Sequence, residues 1–230
     1  MHHSLEQQVR FCTTSDGVRI AYATVGQGPP LVRAANWLSH LAFDLETPVW
    51  RHWIKEFSRY HLYVRYDQRG CGLSDWQVED FSFDSRVRDL ETVVDSVGLD
   101  KFVLLGTSQG GAVSIAYAVR HPERVSHLIL PNAYAKGWAK RNLSSEELEE
   151  IETQMKLMKI GWGRENPIYR QIFTSTFIPK GTPEQFRWFN DLERVTTSPE
   201  NALRYMREFG QIDVSDLLTR ISVPTLSHLT

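Results

Sequence analysis

Four apolar residues, Phe102-Val103-Leu104-Leu105, run straight into Gly106-Thr107-Ser108-Gln109-Gly110-Gly111, and this join decides the fold. A short apolar run ended by glycine reads as a buried strand, and the small residues from about Gly110 to Arg120 read as a closely packed helix. Between them Gly106-x-Ser108-x-Gly110 suits a strained turn that projects a serine while its neighbours pass close to other backbone, which calls for residues lacking Cβ on either side. A helix opening at Gln109 points its unpaired amides and positive end at Ser108, so the Gln109 amide is a candidate oxyanion donor. The competing reading is a serine in an ordinary glycine-rich turn that cradles phosphate. Neither GxGxxG nor GxxxxGKS or GxxxxGKT accompanies it.

Outward from this join the chain alternates strand and helix. Leu31 to Ala35, Leu62 to Tyr66 and Val125 to Leu130 are further buried strands. Glu46 to Arg59 and Phe83 to Val97 carry apolar residues at helical spacing: Val49, Trp50, Trp53, Ile54 and Phe57 in the first, Val87, Leu90, Val94 and Val97 in the second. Buried strands alternating with helices predict an α/β fold, a mostly parallel sheet covered on both faces. Ahead of it, Gln8 to Thr14 and Val18 to Val25 around Asp16-Gly17 predict a hairpin.

From 137 to 212 the strand signals vanish. Ser144 with Glu147 forms a capping box, and Thr182-Pro183 with Gln185 and Ser198-Pro199 mark two more helix starts. Aromatics are dense here, so residues 137–212 are expected to be a helical cap insertion enclosing an apolar cavity over Ser108, with 1–136 and 213–230 as the core. Ile221 to Leu226 restarts a strand.

Composition narrows the functions. A net charge of -2 over 230 residues gives no basic excess for nucleic acid or an anionic membrane. Cys12 and Cys71, the only two cysteines, suggest neither a disulfide framework nor a metal site. No cofactor is implied. The polar start after Met1-His2-His3-Ser4 lacks a signal-peptide core, and no apolar run reaches membrane-helix length, so a cytoplasmic location is expected.

Three further segments carry a resemblance: Tyr66-Asp67-Gln68-Arg69-Gly70-Cys71-Gly72-Leu73-Ser74, His121-Pro122-Glu123-Arg124-Val125, and Ile221-x-Val223-Pro224-Thr225-Leu226. With the serine turn they make the chain resemble the α/β-hydrolase family from about residue 8 to 226. The resemblance implies a nucleophilic Ser108 and a second oxyanion donor in the loop after the third strand. That loop reads Ala34-Ala35-Asn36-Trp37-Leu38-Ser39-His40, with Asn36 in place of the family's glycine and Trp37 offering its amide. The Ala-Asn-Trp version is similar to hydrolase domains found with helix-turn-helix regulators or nucleotide cyclases.

The family orders its triad Ser, then Asp or Glu, then His. Those acid and histidine positions would lie past Thr230, so the chain is expected to be C-terminally truncated, lacking the last strand and helices. A sheet edge and face left bare would favour a homo-oligomer. Some relatives place the acid after the sixth strand, where this chain has uncharged Asn132. His40 is a possible substitute base, against the plainer reading of a loop histidine. The expected function is a serine hydrolase acting on small carboxylic esters, its ligand small, apolar and ester-like, with weak or no activity in this chain. The alternative is a non-catalytic small-molecule-binding or regulatory module. Dehalogenase and epoxide-hydrolase relatives use aspartate at the turn, so Ser108 speaks against both, whereas perhydrolases and carbon–carbon hydrolases share the serine and stay open.

Overall fold

Val32, Val64, Leu104 and Leu128 stand side by side across four parallel strands and are all fully buried. Each such side chain contributes roughly 1.5–3 kcal/mol on leaving water, so this row fixes the register of the sheet centre. The computed structural model describes residues 6–164 and 167–228. Its seven-stranded sheet is built from β1 (Gln8–Thr13), β2 (Arg19–Val25), β3 (Pro30–Arg33), β4 (Leu62–Tyr66), β5 (Phe102–Leu105), β6 (Val125–Pro131) and β7 (Thr225–His228). The order is β1-β2-β4-β3-β5-β6-β7. The amino-terminal hairpin and its join to β4 are antiparallel, and the other pairings are parallel.

Helix α1 spans Arg51–Ser58, a shorter helix than the expected Glu46 to Arg59. Proline disfavours a helical conformation in the residue before it; Pro48 follows Thr47, whose hydroxyl accepts the Val49 N–H in a local turn instead. Helix α2 (Phe83–Val97) begins at Ser82, whose hydroxyl accepts the Ser85 N–H, and ends at left-handed Gly98. Helix α3 (Gln109–Arg120) follows Ser108. The fully buried Arg69 ties the loop after β4 to α2: its guanidinium donates to Asp89 at 2.7 Å and to Asp16 at 2.8 Å.

Helices α4 (Ser145–Gly161), α5 (Pro167–Phe177), α6 (Pro183–Thr196) and α7 (Pro199–Gln211) lie between β6 and β7. Both capping boxes form, Ser144 with Glu147 and Thr182 with Gln185, and Ser198 caps α7. The chains that enter and leave this segment are laced together. Gly137 N–H donates to Ile212 O at 2.8 Å, and Val214 N–H to Ala135 O at 2.9 Å. Among the described residues no helix is long and apolar enough to cross a membrane.

One face of the sheet is less covered. A cavity of about 430 Å³ lies there, lined by Leu31, Phe57, Val103, His127 and Leu226, and Leu226 is 69% exposed. A second, much smaller cavity, about 20 Å³, lies among α4, α5 and α6 between Met158, Trp162, Tyr169, Phe173 and Glu193. Burial pushes the Glu193 carboxyl up to about 9, with one hydrogen bond from Thr174 at 3.3 Å. A carboxyl whose pKa is raised by folding binds its proton more tightly in the native state, so its stability contribution is lost as pH rises from about 4 towards 9. Glu193→Gln should therefore flatten that loss, gaining on the order of 1 kcal/mol, or ~2–4 °C in Tm, at slightly alkaline pH. Thermal unfolding under mildly acidic and mildly alkaline conditions checks it; an equal shift under both would contradict it.

Candidate active site at the turn between β5 and α3

Ser108 has φ 53° and ψ −129°, a conformation costly for an L-residue with a side chain. Its surroundings explain why it stays there. Its N–H donates to Asn132 O at 3.1 Å, and Gly106 N–H donates to Ile129 O at 2.9 Å, so the turn is pinned to the end of β6. A methyl group on Gly106 would sit 2.4 Å from Ser114 Oγ and 2.7 Å from Gly110 O. One on Gly110 would sit 2.9 Å from Ala35 O, and one on Gly111 would sit 2.3 Å from Ala133 Cβ. The missing side chains let the first turn of α3 wedge between the backbone leaving β3 and the backbone leaving β6.

This packing brings Gln109 and the 34–40 loop to the same end of the sheet as Ser108. The Gln109 N–H, in the first turn of α3, has no acceptor within its own helix. Ala34 N–H donates to Leu105 O at 2.9 Å, which lays the start of the loop along β5. Arg33 hydrogen-bonds Asn36, and the buried Asp67 carboxylate accepts the Leu41 N–H at 3.1 Å and the Leu73 N–H at 2.9 Å, gripping the loop at both ends.

The Trp37 side chain is only 5% exposed. It stacks on Trp162 at 5.3 Å with planes 7° apart, and it meets Phe173 edge-on at 5.7 Å and Phe209 at 5.8 Å. Such contacts add about 0.5–1.5 kcal/mol per pair beyond burial. The aromatic side chains expected to enclose a cavity over Ser108 thus pack on one another around Trp37. Ser108 is half-buried. It lines neither the cavity among α4–α6, nor the one beside the 34–40 loop, nor the one on the open sheet face.

Among the described residues no hydrogen bond joins Ser108 to a histidine. His40, the expected substitute base, accepts the Phe43 N–H on Nδ1 at 3.2 Å. That contact occupies the lone pair of the neutral ring, so His40 has no basic nitrogen free in this arrangement. His121 pairs with Glu91 at 2.9 Å, at the far end of α3 and roughly 20 Å from Ser108 at 1.5 Å rise per residue. His127 is exposed and lines the open sheet-face cavity. Asn132 lies at the end of β6 beside the turn, with a left-handed φ of 49° that asparagine tolerates. The described residues form no group of three or more His, Cys, Asp or Glu able to hold a metal ion.

Sequence reasoning missed Arg86. It is buried on α2, and it falls on the apolar stripe with Leu90, Val93 and Val94 at helical spacing. A charged residue inside that stripe was the signal that marked it.

A family profile described as the alpha/beta hydrolase fold matches residues 42–175, more than half of the chain, and the chain belongs to this family. AB hydrolase superfamily protein YisY of Bacillus subtilis (strain 168) is 27% identical over 221 residues, 94% of this chain and 78% of that protein. Epoxide hydrolase 4 of Mus musculus is 32% identical over 119 residues, covering 50% of this chain and 32% of the mouse protein. Among solved structures, the esterase (EaEST) from Exiguobacterium antarcticum superposes with a TM-score of 0.78 at 25% identity, over 96% of this chain and 80% of its own. Relatives of this chain therefore include esterases and epoxide hydrolases.

The wedge makes a direct prediction. Gly106→Ala should force α3 away from β5 and cost roughly 1–3 kcal/mol, the usual penalty of overpacking. Urea unfolding checks it; an unchanged midpoint would show that the close approach is slack.

Proposed function

We propose that this chain is a serine hydrolase directed at small carboxylic esters. Ser108 Oγ attacks the carbonyl carbon as its proton passes to water, and the negative charge that develops on the carbonyl oxygen is met by the Gln109 amide and the Trp37 amide. The ester C–O bond then breaks to release the alcohol, and water hydrolyses the acyl-serine to the acid. The observation that carries this reading is the strained positive φ of Ser108 at the head of α3. Backbone strain persists where the surroundings over-determine it, and such strain clusters at functional sites. The serine also favours esters over epoxides, since the epoxide-hydrolase relatives of this family use aspartate at the turn. The apolar part of the ester would pack among the Trp37, Trp162 and Phe173 rings once they part.

No histidine among the described residues stands ready to take the Ser108 proton, so turnover by this chain is expected to be slow. An oxyanion hole and binding alone, which Ser108→Ala would retain, give about 10³–10⁴ over water, and attack by Ser108 adds to that background. The engaged Nδ1 of His40 also favours a second reading, a small-molecule-binding or regulatory module that keeps the turn without the chemistry.

Hydrolysis of short p-nitrophenyl esters by the wild type and by Ser108→Ala separates the two. The serine-hydrolase reading expects the protein-dependent rate to fall by at least roughly tenfold in the variant. Equal rates would remove Ser108 from the chemistry and leave the binding module.

A further inference from the structure

Arg86 is 2% exposed, and none of its three guanidinium nitrogens has a hydrogen-bond partner among the described residues. This is an unusual state for arginine. The guanidinium stays protonated in proteins, and an isolated buried charge is costly unless it is paired. The carboxylate closest at hand on its own helix, Asp89, is already committed to Arg69 through contacts of 2.7 Å and 3.0 Å. The Tyr205 hydroxyl donates to Arg69 O, and its oxygen accepts no hydrogen bond from Arg86. What Arg86 does have is two aromatic faces, Phe83 at 5.5 Å and Phe209 at 5.2 Å, and an electrostatic attraction to Glu208 without a hydrogen bond. These offset only part of a desolvated charge.

Its position points to the candidate site. A helix that follows a parallel strand starts at the carboxyl end of the sheet, the end at which ligands bind in open α/β sheets. Arg86 sits near the start of α2, and helical side chains lean towards the amino end of their helix. It therefore belongs to the same edge as Ser108. Phe209 connects the two regions, carrying Arg86 over its ring and meeting Trp37 at 5.8 Å. Tyr134, which interacts electrostatically with Arg86 without a hydrogen bond, follows Ala133, the residue bridged to Ser108, and is half-buried.

We propose that Arg86 is the anion-recognising residue of this site and that the ligand is an otherwise apolar molecule bearing one carboxylate. A planar guanidinium binds a carboxylate through two parallel hydrogen bonds, and the partnered nitrogens would then be satisfied. The catalytic half of this inference rests on the hydrolase reading: the substrate would be an ester whose acyl or alcohol portion ends in a carboxylate. The binding half does not depend on it.

The test separates the halves. Thermal unfolding is followed for the wild type, Ser108→Ala and Arg86→Met with butyrate, with methyl butyrate, and with chloride or sulfate at matched ionic strength. Butyrate is expected to raise Tm by several degrees in the wild type and Ser108→Ala, and methyl butyrate and the inorganic ions are not. Arg86→Met should lose the butyrate shift yet unfold at a Tm equal to or above the wild type, because removing an unpaired buried charge relieves the fold. A butyrate shift that persists in Arg86→Met, or that chloride or sulfate reproduces, would overturn the proposal. So would a destabilised Arg86→Met in a protein whose wild type shows no butyrate shift, since Arg86 would then be purely structural. For catalysis, monomethyl glutarate should be preferred over methyl butyrate, and Arg86→Met should lose that preference through a KM raised about tenfold. A wild type that shows the butyrate shift but hydrolyses neither ester would remove the hydrolase reading and leave Arg86 as the carboxylate's partner.

Discussion

Gly106, Gly110 and Gly111 leave no room for a methyl group, and this crowding is the constraint on which the site depends. Because the backbone of α3 can approach Ala35 on one side and Ala133 on the other, the turn between β5 and α3 has one way to close. That closure places Ser108 at φ 53° and starts α3 beside it. The strain is local, on the order of 1–3 kcal/mol. The packing that holds it is spread over three strand ends and a buried hydrophobic row, so the fold can carry it. The same contacts set the 34–40 loop against the turn.

A second layer surrounds this edge. Trp37 belongs to the loop by sequence, but its ring is packed against residues of the segment α4 to α7, and Phe209 extends the aromatic cluster to Arg86. The loop's backbone is thereby coupled to the helices above it. The pairing of an unsatisfied guanidinium with this cluster gives a ligand a polar anchor in otherwise apolar surroundings.

Much of this was legible from residue order alone, because it obeys local rules. The apolar run Phe102–Leu105 followed by closely spaced glycines predicts the strand, turn and helix without reference to distant residues. The capped starts at Ser144, Thr182 and Ser198 were equally readable, since a cap and its partner lie three residues apart. What was not legible depends on contacts across the chain. The late start of α1 follows from Pro48, which an apolar-periodicity count overlooks. The engagement of His40 Nδ1 by the Phe43 amide depends on how the loop turns. The filling of the space around Trp37 depends on Trp162, Phe173 and Phe209 arriving from separate helices. Arg86 stood in plain view on an apolar stripe, but only the folded structure shows it buried with no hydrogen-bond acceptor among the described residues.

The central claim is that packing, rather than the preference of the residue itself, holds Ser108 in its left-handed conformation. Comparing the stability of Ser108→Gly with Ser108→Ala by chemical denaturation tests it without any substrate. In ordinary backbone glycine is the less stable of the two by about 0.5–1 kcal/mol, because it loses more freedom on folding. Here the order should reverse, with Ser108→Gly the more stable by about 1 kcal/mol as the strain is relieved. If Ser108→Ala proves the more stable, the turn is not strained and the account built on it fails.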